Sequence, residues 1–330
     1  MIAANEQLLL DVQELKVHFP IRTGIIPKVT GHVKAVDGVS FQLNAGETLA
    51  IVGESGCGKS TTGRAVLQLI RPTGGEVLFQ GDNLLEMSAN QLRAQRQHMQ
   101  MIFQDPYSSL NPRLTVEKIL LEPLMAHGVG SRQEQLTRIG EVMELCGLNK
   151  SHLNRYAHEF SGGQRQRICI ARSLMLSPQL VVADEPVSAL DVSIQSQILN
   201  LMQDLQRELG VAFLFISHDL AVVRHISHRV GVMYLGRMAE LAPAEELYNK
   251  PLHPYTQSLL SAIPTSNPRI RKERIVLKGD VPSPANPPIG CAFSTRCPQV
   301  MDVCKAVRPE MIEAEPGRYV ACHLYEGKQG

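Results

Sequence analysis

The sequence predicts an α/β fold with a mostly parallel sheet covered by helices, and three observations predict it. Short apolar runs suited to buried strands, at residues 48–52, 180–183 and 211–216, alternate with stretches of helical spacing. Two of these runs open onto polar chemistry, the first into a glycine-rich loop and the second into paired carboxylates, as strands of a parallel sheet do at their carboxyl edge. The third observation is size: 330 residues exceed the ~250–300 at which a single core stops growing, so one large domain and a small appendage are expected.

Taken in order, residues 8–17 and 33–43 carry the β-branched, partly alternating pattern of antiparallel strands, split by a Gly/Pro-marked loop at residues 23–27. From residue 48 the pattern becomes strand, loop, helix. Residues 88–101 are polar and read as helical, and residues 117–148 space Leu, Met and Ile as amphipathic helices do, so a helical subdomain is expected over about 88–178. A further helix at 161–176 precedes the strand at 180–183, a helix at 193–209 and the strand at 211–216. Past about residue 251 the texture changes: Pro264, Pro268, Pro282, Pro284, Pro287, Pro288 and Pro298 forbid long regular elements. The division expected is a domain over 1–255 and an extension over 256–330, pinned by something other than a core. No repeat or low-complexity tract is present.

Residues 53–61 read Gly53-Glu54-Ser55-Gly56-Cys57-Gly58-Lys59-Ser60-Thr61, the spacing G-x-x-x-x-G-K-S. Glycines let successive amide N–H groups converge on phosphate oxygens, and a helix starting near Gly58 adds its positive dipole end. Lys59 is expected to reach the β and γ phosphates of ATP, and Ser60 to place its hydroxyl on Mg2+, with Thr61 continuing the helix. A plain strand–helix turn is the alternative for these residues alone. Asp184 and Glu185 end the strand at 180–183; Asp184 suits Mg2+, and Glu185 suits a base that orients and deprotonates water. Ser161-Gly162-Gly163-Gln164 sets a small hydroxyl residue and two glycines at a second helix start. One nucleotide cannot use both helix ends within one compact domain, so the second is expected to serve a nucleotide held by a partner chain.

Bulk properties narrow the classes. A net charge of +1 gives no field for steering onto a polyanion, so nucleic acid is not expected as a partner. No apolar run approaches the ~20 residues of a membrane span, and the first residues lack the pattern of a secretory signal. An ATP site in a reducing compartment makes structural disulfides among the seven cysteines unexpected.

With these motifs the chain resembles the ATP-binding subunits of ATP-binding cassette (ABC) transporters, from about residue 8 to 260. The resemblance implies a P-loop ABC cassette, with an antiparallel β subdomain and a helical subdomain, and roles by position. Residues 53–61 match the Walker A loop, 180–185 Walker B, Gln104 the Q-loop, Ser161, Gly162, Gly163 and Gln164 the signature, Asp191 the D-loop and His218 the switch histidine. Gln104, Ser60 and Asp184 would share Mg2+, while Gln104, Glu185 and His218 would act on the γ-phosphate. Phe19 stands at about the place where the family stacks adenine, with a core role as its alternative. The resemblance also implies a head-to-tail dimer with a second ABC ATPase subunit, two membrane permease subunits, indirectly a peptide-binding protein, and a peripheral place on the cytoplasmic face of the inner membrane.

Residues 103–113, His253-Pro254-Tyr255-Thr256 and residues 284–293 look like the dipeptide and oligopeptide importer subfamily, whose relatives also move nickel, glutathione or opines. A soluble ABC ATPase acting on ribosomes or DNA is the reading from another class. Cys291, Cys297, Cys304 and Cys322 are spaced C-x5-C-x6-C-x17-C in the proline-rich tail. Four thiols in so small a segment suit a [4Fe–4S] cluster or Zn2+, with free thiols as the third reading. The resemblance favours the cluster. Cys57, Cys146 and Cys169 read as small packing residues.

Overall fold

The computed structural model describes residues 7–24, 28–263 and 275–327. Ile25, Ile26 and Pro27 of the expected loop, and Pro264 and Pro268, lie outside them. In chain order the elements are β1 (Leu8–Thr23), β2 (Lys28–Asn44), β3 (Thr48–Val52), α1 (Lys59–Val66), β4 (Gly74–Phe79), β5 (Asp82–Asn83), α2 (Ala89–Gln95), β6 (Met99–Ile102) and α3 (Pro106–Ser109). There follow α4 (Val116–His127), α5 (Arg132–Leu145), α6 (Gly162–Leu174), β7 (Leu180–Asp184), α7 (Val192–Leu209) and β8 (Ala212–Ser217). The last are α8 (Leu220–Ile226), β9 (Arg229–Tyr234), β10 (Arg237–Pro243), α9 (Ala244–Asn249), α10 (Pro254–Ser261), α11 (Asp302–Ala306), β11 (Ile312–Glu315) and β12 (Arg318–Val320).

Two compact units share these elements, one drawn from residues 1–9, 43–48 and 86–216 and the other from 10–42, 49–85 and 217–330. The first is built on β6, β7 and β8, paired parallel with Met99 opposite Leu180 and Leu180 opposite Ala212. Every residue of β7 and β8 is buried, which is why these strands read as continuous apolar runs. Helix α6 packs on β6, and α4, α5 and α7 pack on α6. Glycines in the left-handed region close α4 and α7 at Gly128 and Gly210.

The helix expected over 88–101 is a correction. A Ser88/Gln91 capping box starts α2, but the helix ends at Gln95, and residues 99–102 form strand β6. Met99, Met101 and Ile102 bury their side chains beside β7, so sheet pairing overrides the local helical preference.

In the second unit, β3 lies parallel to β9, and β10 runs antiparallel to β9. A separate sheet has the order β2-β1-β4-β5, with β1 antiparallel to β4. The extension is attached by strand pairing: β12 pairs antiparallel with β10, and β11 with β12, so the tail prolongs the sheet. Val320 and Cys322 of the tail also share a small core with Leu252, flanked by Ile312, Ala314, Leu324 and Tyr325. Proline spacing hid these strands because each is only four or three residues long. Among the described residues no helix is long and apolar enough to cross a membrane.

Candidate functional site

The phosphate-loop sequence leaves β3 and enters α1 through backbone that only glycine tolerates. At Gly53 (φ 154°) a Cβ would stand 2.1 Å from the Met233 carbonyl oxygen, and at Gly58 (φ 104°) 2.0 Å from that of Ala35. Gly58 is the N-cap of α1, in the left-handed region, and makes no side-chain cap hydrogen bond. Lys59 is buried and folds back over the loop, its Nζ donating to the carbonyls of Gly53 (2.8 Å) and Glu54 (3.0 Å). Ser55 and Gly56 are exposed; Ser60 and Thr61 are half-buried on the first turn of the helix. Burial raises the pKa of the Cys57 thiol.

In the same unit His218 is exposed in the turn between β8 and α8. That turn is fixed by Asp219, whose N–H donates to Ser217 Oγ (3.0 Å) and whose Oδ1 accepts from Ala221 N–H (2.7 Å). Phe19 is 40% exposed on β1, so its ring is not a core residue.

The other unit holds the carboxylates. Asp184 ends β7 fully buried. Glu185 follows in the left-handed region (φ 48°), its N–H bonded to the Ile216 carbonyl at 2.9 Å. A non-glycine residue held at positive φ costs of order 1–3 kcal/mol, and such residues cluster at functional sites. Gln104, exposed in the loop between β6 and α3, donates from Nε2 to Glu185 Oε2 at 3.1 Å. Asp105 caps α3 by accepting from Tyr107 N–H at 2.8 Å, and that backbone hydrogen bond holds its carboxyl below the usual range.

Ser161 and Gln164 form a reciprocal capping box at the start of α6: Ser161 Oγ accepts from Gln164 N–H (3.4 Å), and Gln164 Oε1 from Ser161 N–H (3.1 Å). Gly163 allows this helix end to approach α7, since a Cβ there would stand 2.6 Å from Ile194 Cγ2. Asp191 is the N-cap residue of α7, so the expected signature and D-loop segments are packed neighbours. The structure thus joins Gln104 to Glu185, and residues 161–164 to the start of α7.

Sequence reasoning missed three partners. Arg165 is buried, donates to the Ala157 carbonyl (2.8 Å) and lies 3.7 Å over the Tyr107 ring. Arg296 pairs with Glu54 inside the phosphate loop, and the Tyr255 hydroxyl accepts from Glu54 N–H at 2.9 Å. Tyr255 lies in a run singled out above, but no periodicity signals a contact across 201 positions.

The four tail cysteines are free, Cys304 and Cys322 buried, Cys291 and Cys297 half-buried. Burial raises the pKa of Cys291 and Cys297, and burial together with the other three thiols pushes Cys322 up to about 11. The main chain holds Cys291 N–H on the Cys304 carbonyl at 2.8 Å. Among the described residues, however, no group of three or more His, Cys, Asp or Glu side chains is placed to hold a metal ion. The four sulfurs expected as a ligand set are thus not gathered around one point in this structure. Cys146 and Cys169, with thiols pushed by burial to about 12 and about 11, are packing residues as expected.

Comparison with known proteins matches these features. A family model described as "ABC transporter" fits residues 36–188, and one described as "Oligopeptide/dipeptide transporter, C-terminal region" fits residues 239–304. The chain is 56% identical over 328 residues to the oligopeptide transport ATP-binding protein AppF of Bacillus subtilis (strain 168), covering 98% of this chain and all of that one. Its fold is similar to cbiO1 of Clostridium perfringens, part of the ABC transporter complex cbiONQ, with a TM-score of 0.65 and 25% identity over 74% of this chain and 92% of that one. The ATP-binding cassette MJ0796, in a dimer bound to ADP and Pi, gives a TM-score of 0.63 and 27% identity over 72% of this chain and 99% of that one. An identity of 56% over nearly the whole chain, with both family models matched, means that this chain belongs to the ABC transporter ATP-binding proteins of the oligopeptide/dipeptide transport family.

Proposed function

We propose that the chain is the ATP-hydrolysing subunit that powers import of dipeptides or oligopeptides through a separate membrane permease. The observation that carries the reading is the phosphate loop, whose backbone at Gly53 and Gly58 admits no side chain and whose Lys59 is folded over it. Peptide as the cargo is supported by the identity to AppF and by the match of the C-terminal region.

In this reading the loop amides of residues 53–61 and Lys59 bind the triphosphate, and Phe19 stacks on adenine. Ser60, Asp184 and Gln104 offer hard oxygen donors, a set that fits Mg2+, which supplies charge neutralisation at the phosphates. Glu185 takes the proton of the attacking water, and His218 donates to the γ-phosphate. Residues 161–164 and Asp191 face a nucleotide held by a second ABC ATPase subunit. Closure of that pair drives the permease through contacts over residues 104–121, and hydrolysis reopens it. The chain then sits peripherally on the cytoplasmic face of the inner membrane, fed indirectly by a peptide-binding protein. Residues 1–255 carry the nucleotide chemistry, and 256–330 form the importer-type extension.

The four tail cysteines are part of this proposal as ligands of a [4Fe–4S] cluster, with Zn2+ as the alternative. Support comes from the soft sulfur donor set and from the main-chain bond that ties Cys291 to Cys304. Such a group would act as a staple in the tail. A brown anaerobic preparation with iron and acid-labile sulfide is the expected result, and a colourless one with stoichiometric zinc would reject the cluster.

Uptake of labelled dipeptides and longer peptides in a strain lacking the chain tests the transport reading. Loss of peptide uptake, with membrane association that depends on permease subunits, is expected. Unchanged peptide uptake, or sedimentation of the chain with ribosomes, would overturn it.

A further inference from the structure

We propose that Arg296, in the C-terminal extension, is a positioning residue of the phosphate loop and acts through the carboxylate of Glu54. Its guanidinium meets that carboxylate as a fork, Nη1 at 2.8 Å from Oε2 and Nη2 at 3.2 Å from Oε1. The Arg296 side chain is only 9% exposed and that of Glu54 28%, so the pair is sheltered from the screening that makes surface ion pairs weak. Glu54 immediately follows Gly53, and all three of its polar groups are committed. Its N–H donates to the Tyr255 hydroxyl, its carbonyl accepts from Lys59 Nζ, and its carboxylate accepts from Arg296. Two of those partners come from residue 255 or beyond.

Arg296 is itself held. Its N–H donates to the Phe293 carbonyl at 3.0 Å, and the Phe293 ring packs on Tyr234 (5.2 Å, 83°), Tyr255 (5.3 Å, 54°) and His253 (5.7 Å, 55°). The aromatic group fixes the turn, the turn fixes the guanidinium, and the guanidinium fixes Glu54.

The consequence is electrostatic. Without Arg296 the Glu54 carboxylate is an uncompensated negative charge in a loop that receives a triphosphate. With Arg296 in place the charge is neutralised and the loop backbone is set before ATP arrives. Such an effect falls on nucleotide affinity and not on the chemistry of the bound complex, so KM for ATP moves while kcat holds.

The inference rests on the loop's binding ATP, and the test separates the two. Binding of mant-labelled ATP is measured on the full chain, and steady-state ATPase activity on the transporter assembled with it, for the natural chain and the Arg296→Ala, Glu54→Gln and double variants. Arg296→Ala should weaken mant-ATP binding roughly fivefold, with kcat at saturating ATP retained. In the Glu54→Gln background, which lacks the charge, adding Arg296→Ala should change nothing further. Equal weakening in both backgrounds, or none in either, overturns the inference. If Arg296→Ala does not fold, Arg296→Lys, which keeps the charge but loses the fork, should weaken binding about twofold only where Glu54 is present; unchanged binding overturns the inference. A natural chain that fails to bind mant-ATP overturns the nucleotide reading itself.

Discussion

Gln104 donates its side-chain amide to Oε2 of Glu185 across 3.1 Å, joining the loop before α3 to the residue that follows β7. Glu185 is meanwhile held at φ 48°, with its N–H on the Ile216 carbonyl, so backbone and amide together aim the carboxylate. A neutral amide binds such a group by one hydrogen bond and releases it at modest cost, about 1 kcal/mol. That suits a contact that reports on the loop leading to α3 and α4.

Glu185→Gln keeps the shape and the Gln104 partner while removing the basic oxygen. ATP binding should persist and hydrolysis should fall by roughly 10²- to 10⁴-fold, the worth of a general base. Nucleotide should then trap a closed dimer, visible by size-exclusion chromatography. Hydrolysis at the natural rate would remove Glu185 from the role.

Ser161→Arg places a long cation at the start of α6 and deletes the capping box, at a stability cost of about 1 kcal/mol. Hydrolysis at the partner's site should be lost while mant-ATP binding to this chain's own loop is largely preserved. Simultaneous loss of both would contradict a site shared between chains.

Gly58→Ala and Gly56→Ala separate strain from close approach. Both positions have positive φ, which costs an alanine about 1–2 kcal/mol. At Gly56 nothing lies within 4 Å of the added carbon, whereas at Gly58 the Ala35 carbonyl stands 2.0 Å away and the backbone must move. Gly58→Ala should therefore abolish mant-ATP binding where Gly56→Ala weakens it by roughly tenfold. Equal effects in a titration would mean that contact with Ala35 does not shape the loop.

The physical reasons explain how much was legible. Buried parallel strands advertise themselves because both faces are apolar, so β3, β7 and β8 could be placed from residues 48–52, 180–183 and 211–216. The phosphate-loop glycines were legible for the same kind of reason, since local backbone demands leave a local trace. Strand β6 was not, because four residues after a capped polar helix have no period long enough to read. Nor was the Arg296–Glu54 pair, whose partners are 242 positions apart and lie in segments of unrelated texture. The tail's attachment through β12 on β10 depends on pairing that spacing of prolines and cysteines does not encode.

His253 makes the join between β10 and α10 acid-sensitive. It is buried, its Nδ1 accepts from Tyr255 N–H at 3.0 Å as the N-cap of α10, and burial lowers its pKa to about 4. Nδ1 can accept only when that nitrogen carries no proton, so the fold requires the neutral ring. With an unfolded value near 6.5 and a folded value near 4, the contribution is fully present above pH 6.5 and is lost as pH falls through 4. By pH 5 the loss should reach about 2 kcal/mol. Glu240, whose carboxylate accepts the N–H groups of Leu252 and His253 at 2.9 Å each, is shifted upward by burial and so opposes the trend, its contribution being lost as pH rises. His253→Asn retains a capping acceptor without the titration and leaves Glu240 in place. Thermal melts at pH 7.5 and pH 5 should show a smaller drop in Tm for His253→Asn than for the natural chain, and equal drops would assign the acid sensitivity to another group.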